Sequence, residues 1–253
     1  MTLAVAGKGG TGKTTFAAMT VRYLRERGRT PILAIDADPS ANLNLALGLP
    51  LHSTVGQIRE ETREQVSGGV FQPGISKPDW FQYQVLQCLV EGQDLDLLAM
   101  GRPEGPGCYC AANHMLRQAI DRLGDAYRAV VIDNEAGLEH ISRQTTRDVD
   151  WLFIISDPSQ RGLAAAEQIV GLLASLGTRI GHAGLIVNRV RDGLPPALRE
   201  RIEALGVPFL GALPEDPAIA RLDAEGRPLI LLDDDTAIYP VVTDLLDGAL
   251  RGT

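Results

Sequence analysis

Short apolar runs punctuate the chain at Leu3–Ala6, Ile32–Ile35, Leu95–Ala99, Ala129–Ile132, Leu152–Ile155, Gly184–Val187 and Phe209–Leu213. Apart from Asp96 they read as continuous hydrophobic stretches and not as in/out alternation, the pattern of strands covered on both faces. Amphipathic stretches of helical length lie between them. Thr14–Arg27 and Leu163–Leu176 are the clearest, and Gly28 and Gly177 stand where helix C-termini favour glycine. Strands alternating with helices predict right-handed βαβ units, a mainly parallel sheet and helices on both faces. The expected fold class is α/β, one doubly wound domain spanning residues 1–253. His52 to Gln93 is less regular, with Gly68-Gly69, Pro73-Gly74 and Pro78, and is expected to hold short helices inserted beside the sheet.

Composition narrows the class. The 253 residues are 45% hydrophobic and 22% charged, enough to bury a full core and unlike a disordered, collagenous or disulfide-scaffold chain. No apolar run approaches the roughly 18 residues of a membrane span, and the start MTLAVAGKGG lacks signal-peptide regions. The expectation is a cytoplasmic protein. Net charge is −8, with scattered basic residues and acidic Asp244 and Asp247 near the C-terminus. Nucleic acid and membrane are therefore not expected as partners.

One loop carries specific chemistry. Gly7-Lys8-Gly9-Gly10-Thr11-Gly12-Lys13-Thr14-Thr15 follows the first strand and opens the first helix, fitting G-x-x-x-x-G-K-[ST] in its required context. Its glycines let the backbone approach a ligand closely, so that successive N–H groups can point at phosphate oxygens. The positive end of the following helix adds to that field. Lys13 supplies a cation for the β- and γ-phosphates, and the Thr14 hydroxyl is placed to ligate Mg2+. A plain glycine-rich turn is the bland alternative.

With Lys8, the loop reads K-G-G-T-G-K-T, and it resembles the deviant Walker A motif of dimeric ATPases related to nitrogenase iron protein, MinD and ParA. That resemblance implies that Lys8 reaches a partner's nucleotide, so that ATP brings two subunits together as a homodimer. A solvated loop lysine is the alternative. Asp36-Ala37-Asp38-Pro39 resembles the family's first switch. Asp38 would there orient or deprotonate the attacking water, and Asp36 would sit near the Mg2+ shell. Val130-Val131-Ile132-Asp133 has Walker B form, with Asp133 holding Mg2+ through water and Asn134-Glu135-Ala136-Gly137 as the second switch. A strand-end Asp also serves as a helix N-cap. Val187-Asn188-Arg189 and Leu213-Pro214-Glu215-Asp216 resemble the adenine-contacting loops, although Asn188 also reads as a turn or cap residue. The run Asn-Arg-Val-Arg from Asn188 lacks the Lys and Asp of a guanine-reading loop, which favours ATP over GTP.

The three cysteines are Cys88, Cys108 and Cys110. Cys88 lies among Val85, Leu86, Leu89 and Val90 and is expected to be a buried, inert thiol. The Cys108–Cys110 spacing, at most about 7 Å when extended, makes a disulfide awkward and leaves metal ligation or redox chemistry. Two thiolates are half of a closed tetrathiolate site, and a two-fold dimer supplies the other half. The run G-R-P-E-G-P-G-C-Y-C with Asn113, together with V-I-D-N-E-A-G-L-E-H, is similar to the CooC family of nickel-handling ATPases. The resemblance implies ATP-dependent delivery of Ni2+ into the active-site cluster of carbon monoxide dehydrogenase, with acetyl-CoA synthase as the alternative client. Four thiolates in a tetrahedron also suit Zn2+. The competing readings are an electron-donating iron–sulfur ATPase and a MinD- or ParA-type positioning ATPase. His114 and His140 are assigned structural roles, with support of the metal ligands or a place on a partner surface as the alternative.

Overall fold

The computed structural model of the chain describes residues 1–58, 60–61, 77–102, 120–121, 123–136, 148–174 and 179–251. Strands β1 (Thr2–Gly7), β2 (Ile32–Asp36), β3 (Leu95–Ala99), β4 (Ala129–Ala136), β5 (Val149–Ser156), β6 (Ile180–Val190) and β7 (Phe209–Pro214) form one sheet. Their order is β3-β2-β4-β1-β5-β6-β7, and every neighbouring pair is parallel. The expected doubly wound α/β fold is thus the observed one. β1 lies in the middle, with the chain wound first to one side and then to the other. Ligand crevices of such sheets open beyond the carboxyl ends of the strands, at the point where the winding reverses.

Alternation along β1 sends Leu3 and Val5 to one face and Ala4 and Ala6 to the other, and each face has its own apolar cluster. The first face is covered by α1 (Lys13–Glu26), which buries Phe16, Met19 and Leu24, and by α7 (Ile238–Ala249), which buries Val242 and Leu246. Two short helices, α2 (Leu43–Leu47) and α6 (Pro217–Ala224), complete that layer. The opposite face receives Val85 of α3 (Lys77–Gln87), Leu163 and Ile169 of α4 (Gln160–Leu173), and Leu198 and Ile202 of α5 (Pro196–Glu203).

The far end of α1 is tied to α7 by side chains. Tyr23 donates its hydroxyl to Asp247 at 2.6 Å, and Arg27 pairs with the same carboxylate at 2.6 Å. The Arg22 guanidinium lies 3.8 Å from the centre of the Tyr239 ring, whose hydroxyl donates to Glu26 at 2.6 Å.

Several boundaries differ from the pattern-based expectation. α4 begins at Gln160, because the Ser159 hydroxyl caps it by accepting from Gly162 N–H at 3.0 Å. Gln160 and Arg161 are polar and carry no apolar signal. Residues 175–178, including Leu176 and Gly177, lie outside the described residues. β4 and β6 run longer than their apolar cores, since polar residues continue the hydrogen-bonded ladder. β7 departs most: it is an edge strand, exposed at Phe209 and buried only at Leu213, not covered on both faces. The irregular region after His52 yields α3, an 11-residue helix. No helix among the described residues is long and apolar enough to cross a membrane.

Candidate nucleotide-binding site

The loop between β1 and α1 turns on glycine. Gly12 precedes α1 with φ +94, in the left-handed region that side chains avoid, and this conformation lets the helix start at Lys13. The Lys8 carbonyl gathers the loop around itself. It accepts from the Thr11 hydroxyl at 2.8 Å, from Thr11 N–H at 3.3 Å and from the Lys13 ammonium at 3.4 Å. Lys13 is buried, whereas Lys8, Gly9 and Gly10 are exposed. Gly9 stands beside Ala136, where a Cβ would lie 3.9 Å from the Ala136 Cβ.

Two carboxylates meet at this mouth through sheet register. Asp133 of β4 is the direct partner of Asp36 on β2 and of Val5 on β1. The Thr14 hydroxyl donates to Asp133 Oδ2 at 2.6 Å, while Asp133 Oδ1 is buried and unpartnered. Asp36 accepts from Leu43 N–H at 2.8 Å and from Asp38 N–H at 3.0 Å. Burial pushes the Asp133 carboxyl up to about 7, against the lowering effect of the Thr14 hydrogen bond and with the negative Asp36 raising it further. Burial likewise pushes Asp36 up to about 6, partly offset by its backbone donors. A divalent cation fits this corner: it would occupy the orphaned lone pairs of Asp133, share Thr14 and neutralise charge that burial disfavours.

Backbone bonds extend the ladder beyond the register. Ala37 N–H donates to the Asp133 carbonyl at 2.9 Å, and Met100 N–H donates to the Asp36 carbonyl at 2.8 Å. The chain leading toward the cysteine pair is therefore stitched to the end of β2 at Asp36. Asp38 is half-buried, and its Oδ1 accepts from Ser40 N–H at 2.8 Å, turned onto its own loop. Asn134 continues β4, its amide donating to the Val5 carbonyl at 2.9 Å. Asn188 and Arg189 likewise lie inside β6 and do not end it.

Beside the loop opens a cavity of about 540 Å3. Thr14, Thr15, Asn188, Pro214, Glu215 and Asp216 line it, so the phosphate loop and both expected base-contacting segments converge there. Asp216 also caps α6, accepting from Ala218 N–H at 2.9 Å, and reaches Ile238 N–H at 3.2 Å. Glu215 pairs with Arg191, whose guanidinium holds the carboxyl below its ordinary value. Arg189, from the expected base-contacting segment, lines it too, and sequence reasoning missed Asn42 and Arg227, which also line the cavity. Arg189 adopts a left-handed backbone there.

Cys108 and Cys110 lie outside the described residues, as do Asn113, His114, Gly137 and His140. Among the described residues, no group of three or more His, Cys, Asp or Glu side chains forms a metal site. Cys88 is buried, and burial pushes its thiol up to about 11.

A central-strand phosphate loop with a Thr–Asp pair at its mouth, on a parallel doubly wound sheet, defines a P-loop nucleotide-binding protein. The chain belongs to the CobQ/CobB/MinD/ParA nucleotide binding domain family, which matches residues 2–229. It is 40% identical over 251 residues to an uncharacterised ATP-binding protein of Methanocaldococcus jannaschii, covering 99% of each chain. It is 34% identical over 244 residues to the carbon monoxide dehydrogenase accessory protein CooC of Rhodospirillum rubrum, covering 89% of this chain and 88% of CooC. In fold it resembles the septum site-determining protein MinD of Pyrococcus horikoshii complexed with Mg-ADP, with a TM-score of 0.72 at 23% identity, covering 99% and 97% of the two chains.

Proposed function

We propose that this protein is an ATP-hydrolysing, dimerising metallochaperone of the CooC kind. It carries nickel between the Cys108 and Cys110 thiolates of two subunits and promotes nickel insertion into the active-site cluster of carbon monoxide dehydrogenase, or of acetyl-CoA synthase. The ATPase part is carried by the Thr14–Asp133 contact at the mouth of the phosphate loop. The cargo part is supported by the 34% identity to CooC and by the C-x-C pair in the sequence.

Each site residue has a role in this reading. The N–H groups of Gly9 to Thr15 and the Lys13 ammonium bind the β- and γ-phosphates. Thr14 and Asp133 would hold Mg2+, which when bound neutralises charge on the phosphate oxygens. Asp36 braces that corner by its paired position beside Asp133. Asp38 orients the attacking water and accepts its proton, and Lys8 completes the partner's phosphate site. Pro214, Glu215 and Asp216 bound the base cavity, with Asn188 at its wall. The hydrogen bonds from Ala37 to Asp133 and from Met100 to Asp36 give the nucleotide end a backbone connection toward the cysteine segment. Metal and ATP should then favour each other's binding reciprocally.

Anaerobic metal analysis, combined with a solution mass measurement, tests this reading. With nickel and a non-hydrolysable ATP analogue, the wild type should hold about one ion per pair of chains. Cys108→Ala should lose the metal and keep nucleotide binding, whereas Lys13→Ala should do the reverse. If Cys108→Ala keeps the wild-type metal content, the cargo assignment falls. A broad visible absorbance near 400 nm after iron and sulfide reconstitution would replace it with a cluster-bearing ATPase.

A further inference from the structure

Asn188 has a place in this fold that reading a base does not require. Its Nδ2 donates to the Thr11 carbonyl at 2.9 Å, and its Oδ1 accepts from Arg189 N–H at 2.9 Å. The amide thus has both a donor and an acceptor engagement within the protein, and the residue is only 4% exposed. It also bears directly on the phosphate loop: a Cβ at Gly12 would stand 2.2 Å from Asn188 Nδ2. The backbone strain of the region sits at the same point. Arg189 adopts φ 60, uncommon for a residue other than glycine, and its N–H is the one that Asn188 receives.

Peptide planarity turns this contact into a consequence for the ligand. In a trans peptide, the carbonyl and the following N–H point in opposite directions. Holding the Thr11 carbonyl toward Asn188 therefore fixes the Gly12 N–H on the other side of the chain. The sequence context makes that N–H one of the donors of the phosphate cradle. Left free, the Thr11–Gly12 peptide could flip, and it would then present a carbonyl oxygen to the phosphate instead. Gly12, with no Cβ and a left-handed backbone, is the residue at which such a flip is least hindered.

We propose that Asn188 is a positioning residue for the phosphate loop: its amide locks the Thr11–Gly12 peptide in the phosphate-donating orientation, and base reading is not its main task. The proposal deepens the nucleotide-binding reading above and rests on it. It also gives Asn188 a different role from the adenine contact expected from resemblance.

Inorganic tripolyphosphate separates the two roles, because it has phosphates and no base. Dissociation constants for magnesium tripolyphosphate and for non-hydrolysable ATP and GTP analogues can be measured by calorimetry on the full chain, for wild type, Asn188→Ala and Asn188→Leu. The leucine variant keeps a branched four-atom side chain against Gly12 and removes the amide, so an empty cavity at this buried position does not confuse the result. Both variants should bind tripolyphosphate and the ATP analogue about tenfold more weakly, the worth of one hydrogen bond of ordinary net strength. The ratio of ATP-analogue to GTP-analogue affinity should stay at the wild-type value. Weakening confined to the ATP analogue, or a collapse of that ratio, makes Asn188 a base reader and overturns the proposal. A wild-type chain that binds tripolyphosphate but neither nucleotide analogue leaves the positioning role intact and defeats the ATPase reading. One that binds none of the three ligands defeats both.

Discussion

The carboxyl edge of the sheet carries acidic residues at two ends, and the two ends are built in opposite ways. Between β2 and β4, Asp36 and Asp133 sit side by side in register, 1% exposed each, with pKa values pushed up by burial. Beyond β6 and β7, Glu215 is exposed and paired with Arg191, and its pKa is lowered. An exposed ion pair of this kind contributes little energy and mainly shapes the rim of the cavity. Two buried carboxylates facing each other are costly, and Lys13 offsets only part of that cost. Such an arrangement persists where a cation is part of the working state.

The sharpest way to break this comparison is Asp133→Asn. With loss of charge at the Thr14 corner, magnesium-dependent hydrolysis should fall by roughly 100-fold or more in steady-state phosphate release. Glu215→Gln, measured the same way, should change it by less than about threefold. Equal losses in the two variants would erase the distinction between the ends.

A smaller effect concerns stability without ligand. Both buried carboxyls hold their protons more tightly in the folded chain than in the unfolded one, whose Asp value is 3.8. Their unfavourable contribution is therefore absent below about pH 4, grows as pH rises, and is complete above about 7. Glu215 and Asp247, with lowered values, act in the opposite sense at lower pH, so the informative quantity is the difference between variant and wild type. In chelator at pH 8, Asp133→Asn should melt higher than wild type by roughly 4–8 °C, corresponding to about 2 kcal/mol. At pH 4 the difference should vanish. A variant that melts lower than wild type at pH 8 would mean that the charge is stabilising after all.

The smallest effect belongs to the other end. Arg191→Ala should leave the midpoint of calorimetric melts nearly unchanged, and any change should shrink further in high salt.

The same contrast explains what could be read from the chain. Strands β1, β2, β4 and β5 were legible because burial on both faces leaves an unbroken apolar run, as in Ile32–Ile35. The phosphate loop was legible because its residue types and spacing are tied directly to phosphate chemistry. Edge strand β7 carries an apolar run too, yet Phe209 is exposed, since exposure depends on what lies beside a strand. The juxtaposition of Asp36 with Asp133 arises from parallel register between segments nearly a hundred residues apart, which no local pattern encodes. The extension of β4 through Asn134 had no apolar signal, because a polar residue can stay in a strand when its side chain finds a backbone partner, here the Val5 carbonyl. The contribution of Arg227 to the cavity wall had no signal in the chain, because its position is set by how the segment after α6 returns over α1.

Helix α1 is a beam clamped at its far end. The Tyr23, Arg27 and Asp247 cluster and the stacking of Arg22 on Tyr239 bolt its last turns to α7, while its first residue belongs to the phosphate loop. A beam held in this way resists being dragged along its axis, so a shift of the loop cannot be absorbed by sliding the whole rod. The slack has to be taken up on the opposite side of the mouth, in the turn that carries Asp38.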